Sequence, residues 1–157
     1  MFLHDLFPPE FIKVDLEAVD KEEAFEELVD HFSQAAHVNS REEILKGLRE
    51  REAKMSTGIQ KGIAIPHGKT PAIDKVRGII GISKKGIDYD SLDGKPVYLL
   101  FMIIAPLDSS EVQLRILKRL AEMLENPQFY IDLQSQSDSV GAYKVICKYE
   151  DILMALE

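Results

Sequence analysis

The chain has 157 residues, 45% of them apolar, which is enough for a packed core and too many for a disordered segment. Its 27 acidic residues outnumber 19 basic ones, for a net charge of −8, so a nucleic-acid partner is not expected and any anionic ligand needs a local basic pocket. Cys147 is the only cysteine, which excludes an internal disulfide, and scattered histidines give no zinc spacing, so neither metal nor cofactor is expected.

The first histidine, His4, falls in a terminus that reads as frayed, without the basic start and apolar stretch of a signal peptide. Phe11 to Leu16 alternates apolar and polar residues, as a half-buried strand does. Asp20 reads as a helix N-cap, with Glu23 completing a capping box. Ala24, Phe25, Leu28, Val29 and Phe32 then form an apolar stripe at helical spacing. A second helix is expected from Ser40 to about Met55, with Ile44, Leu45 and Leu48 inward.

Three strands are expected next, at Ile63–Ile65, Val76–Ser83 and Val97–Ala105. The apolar run from Val97 to Leu107 is too short to cross a bilayer, so direct membrane insertion is not expected, while the acidic balance and the single cysteine suit a cytoplasmic location. Asp93-Gly94 punctuates the turn-rich connection before the third strand. A helix over Ser110–Glu125 should turn Val112, Ile116, Leu117, Leu120, Ala121 and Leu124 inward, and Asn126-Pro127 should break it. The polar tail Ser135–Ala142 carries no clear pattern, and Glu150–Leu156 reads as a short final helix. The length fits one domain over residues 1–157, and the order of elements fits a mixed α/β layer structure.

Of the four histidines, His4, His31 and His37 read as surface or packing residues. His67 stands apart, because it follows a buried-type strand and sits in a loop between Pro66 and Gly68. The proline restricts the backbone before it, and the glycine lets a ligand or partner come close. A neutral imidazole there is a nucleophile near pH 7.

The stretch Arg51-Glu-Ala-Lys-Met-Ser-Thr-Gly-Ile-Gln-Lys-Gly-Ile-Ala-Ile-Pro-His-Gly-Lys69 resembles the signature of the fructose/mannitol-type enzyme IIA domain of the bacterial sugar phosphotransferase system. Asp88–Pro96, Val97–Pro106 and Asn126-Pro127-Gln128-Phe129 extend the similarity over most of the chain. The resemblance implies a three-layer α/β/α sandwich with a mixed β-sheet. It implies that His67 accepts a phosphoryl group on Nε2 from the phosphocarrier HPr and passes it on. That chemistry needs a partner for the Nδ1 proton, which the sequence does not name. Arg51 matches the arginine beside the phosphorylated histidine, where its planar fork can hold phosphoryl oxygens. Ser56, Thr57 and Gly58 are candidates either for phosphate donors or for capping the preceding helix. Lys69 is either a steering charge or merely exposed.

The chain departs from the family at Gln113, which stands where many members carry a second active-site histidine. A glutamine amide can donate a hydrogen bond but cannot become cationic. That substitution, with no membrane, IIB or HPr segment in the sequence, favours a regulatory IIA of the nitrogen-related branch. Its partners would be an HPr-like donor and either a IIB protein or a regulatory target. A sugar-transporter IIA relay and a module that binds without transferring phosphate remain the other readings. Ile59 and Ile63 are expected to form an exposed apolar docking patch.

Overall fold

A computed structural model describes residues 2–157. Its centre is β6 (Val97–Ala105), the most apolar stretch of the chain, with partners on both sides. The sheet order is β1 (Ile12–Lys13), β5 (Arg77–Ile87), β6, β3 (Ile63–Ala64), β2 (Gly58–Gln60), and β4 (His67–Lys69) also pairs with β6. β5 runs antiparallel to β6, whereas β3 and β4 run parallel to it, so the sheet is mixed.

Successive residues of a strand face opposite sides, and β6 supplies both cores in that way. Leu100, Met102 and Ile104 pack under α2 (Lys21–Ala36) and α3 (Arg41–Glu52). Leu99, Phe101, Ile103 and Ala105 pack under α4 (Ser110–Leu124), α5 (Pro127–Gln134), α6 (Ser139–Ala155) and the short α1 (Leu3–Leu6). The three-layer α/β/α arrangement follows from this two-sided burial.

Several expected elements are in place. Asp20 accepts from the Glu23 amide at 2.9 Å and caps α2, which is half of the expected capping box. Ala24, Phe25, Leu28, Val29 and Phe32 are all buried, as the stripe required. Asn126 caps α5 through the Gln128 amide, with Pro127 in the first turn where no amide hydrogen is needed. Gly94 takes a positive φ of 71° in the expected turn.

Other expectations change. The terminus is not frayed: the buried Glu150 carboxylate accepts from the Leu3 and His4 amides and from His4 Nδ1, at 2.6, 3.1 and 2.7 Å. The strand expected over Phe11–Leu16 is only Ile12–Lys13, because Pro8 and Pro9 lead into a 3-10 turn over Pro9–Phe11. Leu16 still donates to Ile82 O at 3.1 Å, so the chain stays extended beside β5. β5 continues to Ile87 through an irregularity after Ile82, where Gly86 (φ 92°) donates to Ser83 Oγ. β2 and β4 were not foreseen. Ala121 is exposed, and Met123 is buried in its place on α4. The final helix is far longer than Glu150–Leu156: Asp138 caps it through the Gly141 amide, and Ala142, Ile146 and Tyr149 form its inward stripe.

Candidate functional site

β3 and β4 lie one after the other along the same edge of β6, pairing with Leu99–Leu100 and then Ile103–Ala105. Ile65 and Pro66 separate them, and proline cannot donate to a ladder. Thus His67 opens a strand and does not sit in a loop as expected, with Gly68 and Lys69 extending the pairing. The Pro66 carbonyl still accepts from the Ile103 amide at 2.9 Å, which fixes the backbone just before the histidine.

The interruption also turns the Ile65 carbonyl toward the ring. His67 Nδ1 lies 2.8 Å from it. A carbonyl can only accept, so Nδ1 carries the hydrogen and Nε2 carries the lone pair. Nε2 makes no hydrogen bond among the described residues. Burial of the half-buried ring lowers its pKa below the usual 6.5, and the Arg51 charge lowers it further. The bond to Ile65 and the charge of Glu52 oppose that shift without cancelling it. The ring is therefore neutral at pH 7.

Arg51 comes from the last turn of α3. Its position depends on how closely that helix approaches β4. A Cβ on Gly47 would stand 2.3 Å from Lys69 O, and one on Gly68 would stand 2.6 Å from Gly47 O. Only glycines allow the two backbones to meet this way. Arg51 follows Gly47 by four residues and so projects from the same helix face. Its Nη1 donates to Met55 O at 2.7 Å, and the other guanidinium donors make no hydrogen bond among the described residues.

Gln113 reaches the same place from α4, 6% exposed, with Nε2 donating to Gly68 O at 3.1 Å. His67, Arg51 and Gln113 together line a cleft of about 370 Å³. Lys54, Lys69 and Glu50 are also in its walls, so three cations face one carboxylate. This is the local basic pocket that an anionic ligand needs in an acidic chain. Lys69 Nζ donates to Ser110 Oγ at the start of α4. Among the described residues no group of three or more His, Cys, Asp or Glu side chains could hold a metal ion.

The loop candidates face inward. Thr57 gives both its amide and its hydroxyl to the Glu52 carboxylate, at 2.8 and 2.5 Å, and Ser56 Oγ accepts from the Gly58 amide at 3.2 Å. These bonds close the end of α3, which stops at Glu52 and not near Met55. Of the expected docking pair, Ile59 is 41% exposed, but Ile63 is 6% exposed because β3 lies against β6 and turns it into the core. Leu107, in the wall of the cleft, is exposed, as is Leu114, the chain neighbour of Gln113. Gly47 and Glu52 were missed. A glycine inside an otherwise good helical pattern was the one available signal for the first.

The family model described as the phosphoenolpyruvate-dependent sugar phosphotransferase system, EIIA 2, matches residues 5–149. A nitrogen regulatory protein of Bradyrhizobium diazoefficiens is 32% identical over 146 residues, covering 93% of this chain and 95% of the relative. The fructose-specific EIIA component of Haloferax volcanii is 41% identical over 117 residues, covering 74% and 76%. The fructose-specific EIIABC component of Bacillus subtilis is 38% identical over 79% of this chain, which spans 20% of that longer protein. Among solved structures, the nitrogen regulatory protein IIA-Ntr of Neisseria meningitidis superposes with a TM-score of 0.83 at 26% identity, covering 92% of this chain and 98% of that one. The Escherichia coli mannitol IIA, solved in complex with phosphorylated IIB, shares the fold with a TM-score of 0.75 at 18% identity, covering 91% and 99%. The chain belongs to the EIIA 2 family of the phosphoenolpyruvate-dependent sugar phosphotransferase system.

Proposed function

We propose that His67 is a phosphoryl acceptor and that the chain works as a phosphocarrier. The observation that carries this reading is the Nδ1–Ile65 O bond, which leaves the Nε2 lone pair beside Arg51 in one basic cleft. Nε2 attacks phosphorus, the Nε2–P bond forms, and the bond from phosphorus to the donor breaks. No proton need leave the nucleophile first, because Nδ1 keeps its own on Ile65 O. The unused donors of Arg51 meet the phosphoryl oxygens, where the charge of the transition state is spread. Gln113 stands beside them as a neutral donor.

The donor is an HPr-like phosphocarrier. Onward partners are either a IIB protein or a regulatory target, and the mannitol IIA neighbour was solved with phosphorylated IIB. We favour the regulatory, nitrogen-related assignment, which is supported by the end-to-end match to the Bradyrhizobium protein and by Gln113. The higher identity to a fructose-specific component supports a transport relay as the second reading. Genes beside this one separate the two, a sugar-specific permease favouring relay and a sigma factor or sensor kinase favouring regulation.

The test of the shared chemistry is incubation with phosphoenolpyruvate, enzyme I and HPr, followed by intact mass. The expected result is one acid-labile phosphate, lost in His67→Ala. A folded wild-type chain that gains no phosphate from a competent HPr would be a binding module instead.

A further inference from the structure

Glu52 ends α3 immediately after Arg51, and the phosphocarrier mechanism assigns it nothing. Its side chain is 7% exposed. Three elements converge on it. Thr57 donates its amide to Oε2 and its hydroxyl to Oε1. With the Thr57 hydroxyl given to Glu52, Tyr89 OH donates to Thr57 Oγ1 at 2.7 Å and lies 3.3 Å from Oε1, and Lys21 Nζ lies 3.1 Å from Oε2. Lys21 also stands 5.0 Å from the centre of the Tyr89 ring. Burial, then the Glu52 charge, pushes the Tyr89 phenol well above its usual range, so it stays a donor.

From this carboxylate a run of hydrogen bonds leads to the reacting ring. Glu52 holds the Thr57 amide. The Thr57 carbonyl accepts from the Ile65 amide at 3.0 Å. The Ile65 carbonyl accepts from His67 Nδ1 at 2.8 Å. The same turn carries Arg51, whose guanidinium reaches across it to Met55 O. One buried carboxylate thus braces the backbone that holds the His67 ring, one residue along the chain from Arg51.

We infer that Glu52 is the positioning residue of this site, which through Thr57 and Ile65 fixes the His67 ring with hydrogen on Nδ1 and the lone pair on Nε2. This rests on the reading of His67 as the phosphoryl acceptor. Outer partners of this type commonly govern ring tautomer and orientation without touching the reacting atoms. A hydrogen-bonded brace is suited to the task, since a small displacement at a reacting centre costs far more rate than stability.

The test compares wild type, Glu52→Gln and Glu52→Ala by thermal melting, by ring nitrogen-15 NMR of His67, and by single-turnover labelling over a range of phosphorylated HPr. Glu52→Ala is expected to slow the saturated labelling rate by about 10-fold or more, the scale typical of outer-shell partners. The half-saturating HPr concentration should not move, because Glu52 is not on the docking surface. The His67 ring should populate both tautomers. Its titration midpoint should move to lower pH, since the Glu52 charge raises it while Arg51 lowers it. The other charges in the cleft, Glu50, Lys54 and Lys69, stay as they are. Glu52→Gln keeps the shape and one acceptor for Thr57, so it should fall between. A purely structural Glu52 would lower the melting temperature and leave tautomer and saturated rate alone, and that result overturns the inference. If Glu52→Ala does not fold, Glu52→Gln and Tyr89→Phe are read by the same criteria. If the wild type takes no phosphate from any HPr, the phosphocarrier reading fails, and the tautomer measurement alone decides the role of Glu52.

Discussion

Gly47→Ala tests whether the meeting of α3 and β4 sets the site. The new Cβ would stand 2.3 Å from Lys69 O and 3.1 Å from Lys69 C, both backbone atoms that no rotamer change can move. Restoring ordinary contact requires the helix to retreat from the strand by about 1 Å. The stability change is a difference of two effects. Alanine gains about 1 kcal/mol of helix propensity over glycine, while overpacking costs roughly 1–3 kcal/mol. The net loss is therefore about 0–2 kcal/mol, and at roughly 2–4 °C per kcal/mol in a chain of this size the melting temperature falls by about 8 °C at most. The effect on chemistry is larger. Arg51 rides on the same helix, and a displacement of about 1 Å at a reacting centre can cost on the order of 100-fold in rate. Thermal melting and single-turnover labelling by phosphorylated HPr separate the two effects. The expected variant is folded and slow. A variant that labels at the wild-type rate would refute the claim that this close approach positions the guanidinium, whatever its melting temperature.

Four other perturbations probe different parts of the molecule. Because burial lowers the His67 pKa, the labelling rate should hold its plateau below pH 6.5 before falling, and a midpoint at or above 6.5 would contradict that environment. The unfolded chain then binds the extra proton first, so this residue's effect is to make stability fall as pH drops below about 6.5, measurable by melting across that range. Gln113→His should raise transfer to a IIB protein more than it raises phosphorylation by HPr, and equal changes would dispose of the idea that a second imidazole serves the onward step. Ile59→Asp should raise the half-saturating HPr concentration, and unchanged kinetics would remove Ile59 from the docking face. Glu150→Ala strips the acceptor from the Leu3 and His4 amides. It should cost about 1–3 kcal/mol for donors left without partners, seen as a lower melting temperature with His67 labelling intact.

The sequence made the periodic parts of the fold legible. The stripes of α2 and the unbroken apolar run of β6 are direct consequences of burial on one face and on two faces. What it concealed was non-local or non-periodic. β2 and β4 are three residues long, too short to establish a period, and they exist only because β3 and β6 offer them edges. α6 was hidden because Gly141, Lys144 and Lys148 dilute its stripe and its cap lies in a polar tail. The site divided in the same way. The local signal around Pro66-His67-Gly68 marked the proposed nucleophile, and the resemblance pointed to Arg51 and Gln113, which the fold brings into one cleft with it. The Nδ1 partner could not be read, because Ile65 O is a backbone atom and any residue would supply one. In the sequence Glu52 is one more acid in the run Arg49-Glu50-Arg51-Glu52, and only the packing of Thr57, Tyr89 and Lys21 against it distinguishes it from its neighbours.

On the proposed reading, the choice of a carbonyl to hold Nδ1 bears on what kind of group His67 would become once phosphorylated. A carboxylate at that place would stabilise the imidazolium and raise the basicity of the ring. Here the partner is a neutral dipole, and burial and Arg51 both act in the other direction. A less basic nitrogen is a weaker nucleophile and a better leaving group. For an enzyme that only had to attack, that would be a defect. For a carrier it is a compromise, since the Nε2–P bond that forms must later break without a strong acid to help it. The attack is compensated by position, because Arg51 is fixed beside the ring by its bond to Met55 O and by the approach of Gly47 to Gly68 and Lys69. The departure needs no compensation. On the proposed reading, low basicity and tight placement are therefore two halves of one arrangement, and a change that loosens placement should harm acceptance from HPr more than it harms release.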